Sequence, residues 1–198
     1  MSSIKLTADS GGGTVEIKAP ASTTSNAAKQ LIISADGIIG VTHADIYHLT
    51  SAFDDDANPI INNWERCDST GCGYIGGVSA PSSGIWSFPV TGIWKVHFHI
   101  QSAALNENNA WPSAYIYTTV DNGSNWTNVG VGHHSSIDGT ASWQYQQIDA
   151  YAMMDVTDTS TCKFKLVSIN DGSSSSIRTQ GNATELQTFV EMVRLGDT

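Results

Sequence analysis

The sequence predicts an all-β protein: a jelly-roll sandwich of about eight to ten strands behind an extended N-terminal β arm. Three observations carry this. Apolar residues recur with period two over long stretches, helical spacing is nowhere convincing, and Gly, Asn, Asp and Ser punctuate the stretches as turn residues do. Composition agrees. Of 198 residues only 14% are charged while 18 are glycine, a balance that favours short strands and turns over helices.

Residues 1–42 have a texture of their own. Ile4-Lys5-Leu6 and Val15-Glu16-Ile17 alternate as short strands around Ser10-Gly11-Gly12-Gly13, followed by the polar spacer Ala19 to Asn26 and then Leu31-Ile32-Ile33. Such pieces cannot bury a core alone, so 1–42 reads as an anchoring arm and 43–198 as the head. In the head, Trp94, Val96, Phe98 and Ile100 fall on one face of a strand and Lys95, His97, His99 and Gln101 on the other. The first face is core. Pro89 and Gly92 form a tight corner that places Trp86, Phe88 and Trp94 in one sandwich interior. Ala114 to Val120 alternates again and runs into Asp121-Asn122-Gly123, a strong hairpin signal. Trp143 to Met154 carries Trp143, Tyr145, Tyr151 and Met153 on one face and Ile148, Ala150, Ala152 and Met154 on the other. Neither face has the pattern of a fully solvated one, which predicts burial on both sides. Cys162, Phe164 and Leu166 mark a further strand, and Leu186 to Leu195 the last.

Nineteen acidic against nine basic residues give a formal charge of -10. No basic footprint exists for nucleic acid or anionic lipid. The longest apolar stretch, Leu31 to Val41, is broken by Asp36 and Gly37 and falls short of the roughly 20 residues of a membrane span, so membrane insertion is not expected. The start Met1-Ser2-Ser3-Ile4-Lys5 lacks a signal peptide's features, and folding in a cytoplasm is expected. Cys67, Cys72 and Cys162 cannot all pair within one chain. Cys67 and Cys72 flank a turn that would allow a short bridge, but without an export signal free thiols are the expectation.

The stretch Gly73-Tyr74 and Ser83-Gly84-Ile85-Trp86-Ser87-Phe88-Pro89-Val90-Thr91-Gly92-Ile93-Trp94 through His99 resembles the globular heads of the complement and tumour-necrosis-factor superfamily, with an aromatic, Pro, then Gly-x-aromatic entering a long strand. Trp94 stands where that family more often has Tyr. Ile60 to Arg66 and Thr188-Phe189 with Leu195 sit roughly at the family's first and last core strands. The resemblance implies a ten-strand jelly roll that forms a homotrimer about a threefold axis, with Trp143, Tyr145, Tyr151 and Met153 as interface candidates. Met1 to Ala28 and Phe189 to Thr198 look like segments of structural and fibre proteins of marine tailed bacteriophages. That likeness implies a virion surface protein assembled in the host cytoplasm: a fibre knob or a capsid or neck decoration. Its arm would hold other virion proteins, and its head would meet a glycan or protein of the host surface.

Thr119-Val120-Asp121-Asn122-Gly123-Ser124-Asn125-Trp126 fits the Asp-box pattern, a structural hairpin in which Thr119, Asp121, Gly123 and Trp126 are the defining residues. Sialidases carry several such boxes, but this chain has one, and only Arg66, Arg178 and Arg194 for a substrate-binding arginine trio. His97 and His99 can present two imidazoles to a metal or stack around a threefold axis; without a carboxylate motif nearby, a surface or interface pair is favoured. His133-His134 point apart. Asp54, Asp55 and Asp56 supply oxygens of the kind calcium takes, although a solvated acidic loop is the commoner use of such a run. Trp111, Trp126 and Trp143, with Asn122, are candidates for stacking on sugar, against buried packing for Trp126 and Trp143. No Gly-x-Ser-x-Gly, His-Glu-x-x-His or phosphate loop occurs, so no catalytic residue, no cofactor other than calcium and no enzyme activity are expected. The alternative is a soluble complement-like binding module unrelated to viruses, with which the Asn-x-Ser/Thr triplets at Asn122, Asn125 and Asn182 are compatible.

Overall fold

Wherever apolar residues alternate over seven or more positions the chain is strand, because period two is the only spacing that sends one set of side chains to a common face. A computed structural model describes residues 15–17, 31–34, 37–38, 41–68, 70–105, 111–135, 142–170 and 177–198. The chain divides into two units, Met1–Gly40 and Val41–Thr198. In the first, β1 (Val15–Ile17), β2 (Leu31–Ser34) and β3 (Gly37–Ile38) form an antiparallel sheet, with Val15 opposite Ile33 and Ile33 opposite Ile38. The strand expected at Ile4 to Leu6 lies outside the described residues. Among the described residues no helix is long and apolar enough to cross a membrane.

The second unit is all β: β4 (Ala44–Leu49), β5 (Ser51–Phe53), β6 (Trp64–Arg66), β7 (Ile85–Ser87), β8 (Gly92–Ala104), β9 (Ser113–Thr119), β10 (Thr127–His133), β11 (Gln144–Val156), β12 (Lys163–Ile169), β13 (Ile177–Asn182) and β14 (Phe189–Gly196). They form two antiparallel sheets. One has the order β10-β9-β12-β7. In the other, β8 pairs with β11 along one edge and with β14 and β13 in succession along the other, while β4 and β6 follow β14, and β5 follows β13. The strands beyond the expected count are three-residue pieces such as β5 and β6, too short for alternation to register.

The two sheets meet through aromatic rings. Trp86 of β7 stacks on Phe164 of β12 at 5.7 Å and meets Tyr47 of β4 edge-on at 5.1 Å, while Phe88 touches both Trp94 and Phe164 at 5.2 Å. Trp86, Trp94, Val96, Phe98 and Phe164 are fully buried and Phe88 nearly so. Such rings bury 150–250 Å² each, by rough average, and dominate core energetics. The tight entry to β8 depends on Gly92, at φ +137°, where a Cβ would collide with the Gly196 carbonyl of β14.

Two expectations need correction. The first long head strand is Ala44–Leu49, not Ile60 to Arg66; Trp64–Arg66 takes the edge beside it. Ala44–Leu49 hides from a search for alternation because Asp45 and His48 are buried in it. The Asp45 carboxylate accepts hydrogen bonds from Arg66 Nε and Nη2 (3.1 and 3.0 Å) and from the Val78 N–H (2.7 Å), tying β4, β6 and the following loop together. The thiols also differ from expectation. Cys67 and Cys72 are disulfide-bonded, the intervening turn, with Gly71 at φ +95°, bringing their Cα atoms to 6.0 Å, within ordinary bridging distance. Cys162 is free and buried.

Adjacent residues of β7 provide a test of the packing. Trp86→Ala should lower stability by about 3–5 kcal/mol, whereas Ser87→Ala, on the exposed side, should stay within about 0.5 kcal/mol. Paired urea melts measure both, and comparable losses would invert the inside-outside assignment of this strand.

Candidate functional site

β8 and β11 are thirteen residues each and pair without a slip from Gly92 opposite Val156 to Ala104 opposite Gln144. Even-numbered residues of both strands face the core, so odd-numbered ones build the other face. Registers with β11 and β14 set three rows there: Phe189, His99 and Asp149; Glu191, His97 and Tyr151; Val193, Lys95 and Met153. His97 stacks on Tyr151 at 4.3 Å and His99 on Phe189 at 4.8 Å. Lys95 Nζ lies 3.5 Å from Glu191 Oε2.

At the centre, the His97 Nε2–H and the His99 Nδ1–H each donate to Asp149 Oδ1, at 2.6 and 2.8 Å. Burial pushes the Asp149 carboxyl up, but the two imidazole hydrogen bonds outweigh it and the net shift is downward. Asp149 is held from below as well. A Cβ at Gly132 of β10 would collide with the Asp149 carbonyl, and one at Gly130 with that of Tyr151, so these glycines let β10 lie directly against this part of β11. Among the described residues, His97, His99 and Asp149 form the one group of three metal-capable side chains whose ligand atoms converge, within 4.8 Å of one another.

Around this polar centre the face is open and carries exposed apolar side chains among polar ones. Tyr145, Tyr151 and Met153 are 61%, 55% and 70% exposed. Trp143, just before β11, is half-buried under the Arg178 guanidinium, 4.7 Å from its ring. Of the four interface candidates, Tyr145, Tyr151 and Met153 thus lie along one side of β11 and Trp143 just before it, and the metal candidates His97 and His99 lie on the same face as those three. Asp149, Glu191 and Phe189 were not singled out from the sequence. The available signal was Asp149 alone among apolar neighbours, between Ile148 and Ala150 and two residues from Tyr151.

The other candidates are dispersed. Asp54 pairs with Arg178 at 2.9 Å, while the Asp56 carboxylate and the Asp55 carbonyl accept from Asn170. Two of the three carboxylates, those of Asp54 and Asp56, are therefore engaged by different partners. Arg66 is bound to Asp45 and Arg194 to Asp197, so the three arginines each serve a different carboxylate. His133 bonds Ser113 and His134 the Ser135 carbonyl. Trp111, 53% exposed, lies before the start of β9, whereas Asn122 and Trp126 follow its end. A seven-residue strand is roughly 23 Å long, so these three do not make one site.

The Asp-box residues form a tied hairpin. The Thr119 hydroxyl donates to Asp121 Oδ1 at 2.6 Å and accepts from the Gly123 N–H at 3.1 Å, and the Asp121 carboxylate accepts from the Asn125 N–H and Nδ2 at 2.9 and 2.6 Å. Asn122 and Gly123 take the left-handed conformations of the turn, at φ 59° and 93°. Trp126 packs beside Gly123, with Lys165 Nζ 4.9 Å from its ring, and Lys163 donates to Asn122 Oδ1.

The hydrogen bond from Thr119, followed by those from Asn125, pulls the Asp121 carboxyl down from 3.8 to about 2. The sign follows: a carboxylate whose folded value is depressed keeps its stabilising bonds above the unfolded value and loses them as pH falls through the folded one. The side-chain carbon resonance of Asp121 should therefore titrate near 2 in the folded protein. A midpoint near 4 would show that the turn does not hold the carboxylate.

No family model matches the sequence, and no curated protein does. The fold is similar to solved structures. Eiger TNF from S. frugiperda superposes with a TM-score of 0.59 at 11% identity, over 81% of this chain and 96% of that one. Murine APRIL at pH 5.0 gives 0.53 at 9% identity, over 77% and 98%. At these identities the likeness is one of fold alone, and the head is a TNF-like jelly roll.

Proposed function

We propose that this protein is a non-enzymatic structural and binding component: a homotrimeric jelly-roll head, carried by residues 1–42 on the surface of a tailed-phage virion as a fibre knob or decoration. The observation that carries the trimer is the open face of β8, β11 and β14. Fully burying a large apolar side chain is worth about 1.5–3 kcal/mol, and Tyr151 and Met153, with Tyr145 further along the same face, stand in water in the single chain. Packing this face around a threefold axis covers it with copies of itself. Three copies of a weak receptor site on one knob then gain from avidity. Support for the virion setting is the sequence likeness of Met1 to Ala28 and of Phe189 to Thr198, and the short strands β1 and β2 suit attachment by strand addition.

The Cys67–Cys72 bridge favours a second setting. Disulfides persist mainly in oxidising compartments, which suits a secreted complement-like module with the same trimer.

Light scattering should give three times the 21.1 kDa protomer mass. Met153→Glu, placing a charge in the covered face, should leave a folded β protein of one-third that mass; a monomeric wild type would refute the trimer. Deleting residues 1–42 should leave a trimeric head that no longer enters particles, as judged by mass spectrometry of purified virions. Incorporation at normal copy number would place the anchor in the head, and a wild-type protein missing from particles but present in cell supernatant would support the secreted setting.

A further inference from the structure

We propose that His97, His99 and Asp149 form a binding site for one divalent transition-metal ion of the zinc type per chain. The donor set comes first. Two imidazole nitrogens and one carboxylate oxygen suit zinc, iron(II), nickel or manganese, whereas calcium takes oxygen ligands almost alone.

Placement is dictated by strand geometry. His97 and His99 are two apart on β8 and so project from the same face; Asp149 is the direct cross-strand partner of His99 and lies diagonal to His97. All three therefore stand on the longest ladder of the head, where thirteen paired residues hold the backbones at fixed spacing. Metal bonds of about 2.1 Å put neighbouring donors about 3.0 Å apart in an octahedron and about 3.4 Å apart in a tetrahedron. His97 Nε2 and His99 Nδ1 are 2.6 and 2.8 Å from Asp149 Oδ1. To hold an ion each of these two separations would widen by about 0.2–0.8 Å, a side-chain adjustment at Asp149.

The surroundings fit the same use. Tyr151 and Phe189 stack flat on the two imidazoles and limit their rotation. Glu191 Oε2 faces His97 Nδ1, the ring nitrogen turned away from Asp149, at 3.9 Å. With a metal on Nε2 in place of its proton, a carboxylate on the far side would favour the remaining proton at Nδ1. The close approach of Gly132 to the Asp149 backbone fixes the third ligand's strand. Three protein ligands leave coordination positions on the outward side for water or a further donor. The site is complete within one chain and does not rest on the trimer.

The full-length protein, stripped with EDTA and dialysed, is titrated with zinc chloride by calorimetry and with cobalt(II) chloride by visible absorption. One ion per chain is expected, with nitrogen-ligand d–d bands for cobalt. Asp149→Asn, nearly isosteric, and His99→Ala should each weaken binding at least tenfold while circular dichroism shows the β fold retained. The double substitution His133→Ala with His134→Ala, elsewhere in the fold, should leave affinity unchanged. Absence of saturable binding would overturn the proposal. So would binding that survives Asp149→Asn and His99→Ala, or that is lost with His133 and His134.

Discussion

The ladder between β8 and β11 is the constraint on which the rest of the head depends. Side chains alternate with period two, so an uninterrupted thirteen-residue register decides the environment of both strands at once. Slipping one strand by a single residue would turn Trp94, Val96, Phe98 and Ile100 to the open face and drive Lys95, His97 and His99 into the aromatic interior. The apolar loss and the cost of burying unpaired polar groups would act together. β14 reads the same register on the opposite edge of β8, aligning Val190 and Met192 with the core and Phe189 and Glu191 with the outer rows. The core and the candidate site are therefore two sides of one pairing, and neither can move without the other.

What closes the sandwich over that ladder is a set of rings from the other sheet. Trp86 and Phe164 lie nearly parallel, 10° apart, and Phe88 bridges to Trp94. At the edge, the Asp45 carboxylate is wholly buried and Arg66 partly so. Buried ion pairs add little net stability, since desolvation offsets the attraction, but losing one partner is costly. Asp45 binds Arg66 on β6 and the Val78 N–H, so replacing it alone leaves both without their acceptor. Gly92 and Gly132 complete the frame by allowing backbones to touch where a Cβ would hold them apart.

Much of this was legible in the sequence because long alternating strands announce themselves. Trp94 to Ile100, Ala114 to Ile116, Phe164 to Leu166 and Val190 to Met192 each show core and non-core positions in turn, and together they specify a two-layer all-β head. Ala44–Leu49 was not legible, since its pattern includes a buried Asp45 that only Arg66 and Val78, far along the chain, make tolerable. The Cys67–Cys72 bridge differs from the expected free thiols, although the turn between the two cysteines permits it. The site was half legible. His97 and His99 are visibly on one face, but Asp149 is fifty residues from His99 and joins it only through a cross-strand register that no local pattern encodes.

Open apolar rows and a polar centre on one face make opposing demands. Tyr145, Tyr151 and Met153 gain by being covered, while Asp149 and the imidazoles lose their water when that happens. A carboxylate in a covered interface needs its charge met, because an unpaired buried ion costs several kcal/mol, by rough estimate. Two imidazoles on one carboxylate oxygen meet it when they carry protons, and a divalent ion meets it when they do not. The cluster is then more than a tolerated imperfection in an apolar surface. In the proposed trimer the apolar side chains would supply the driving force for association, while His97, His99 and Asp149, already joined within one chain, would enter the interface with the Asp149 carboxylate partnered.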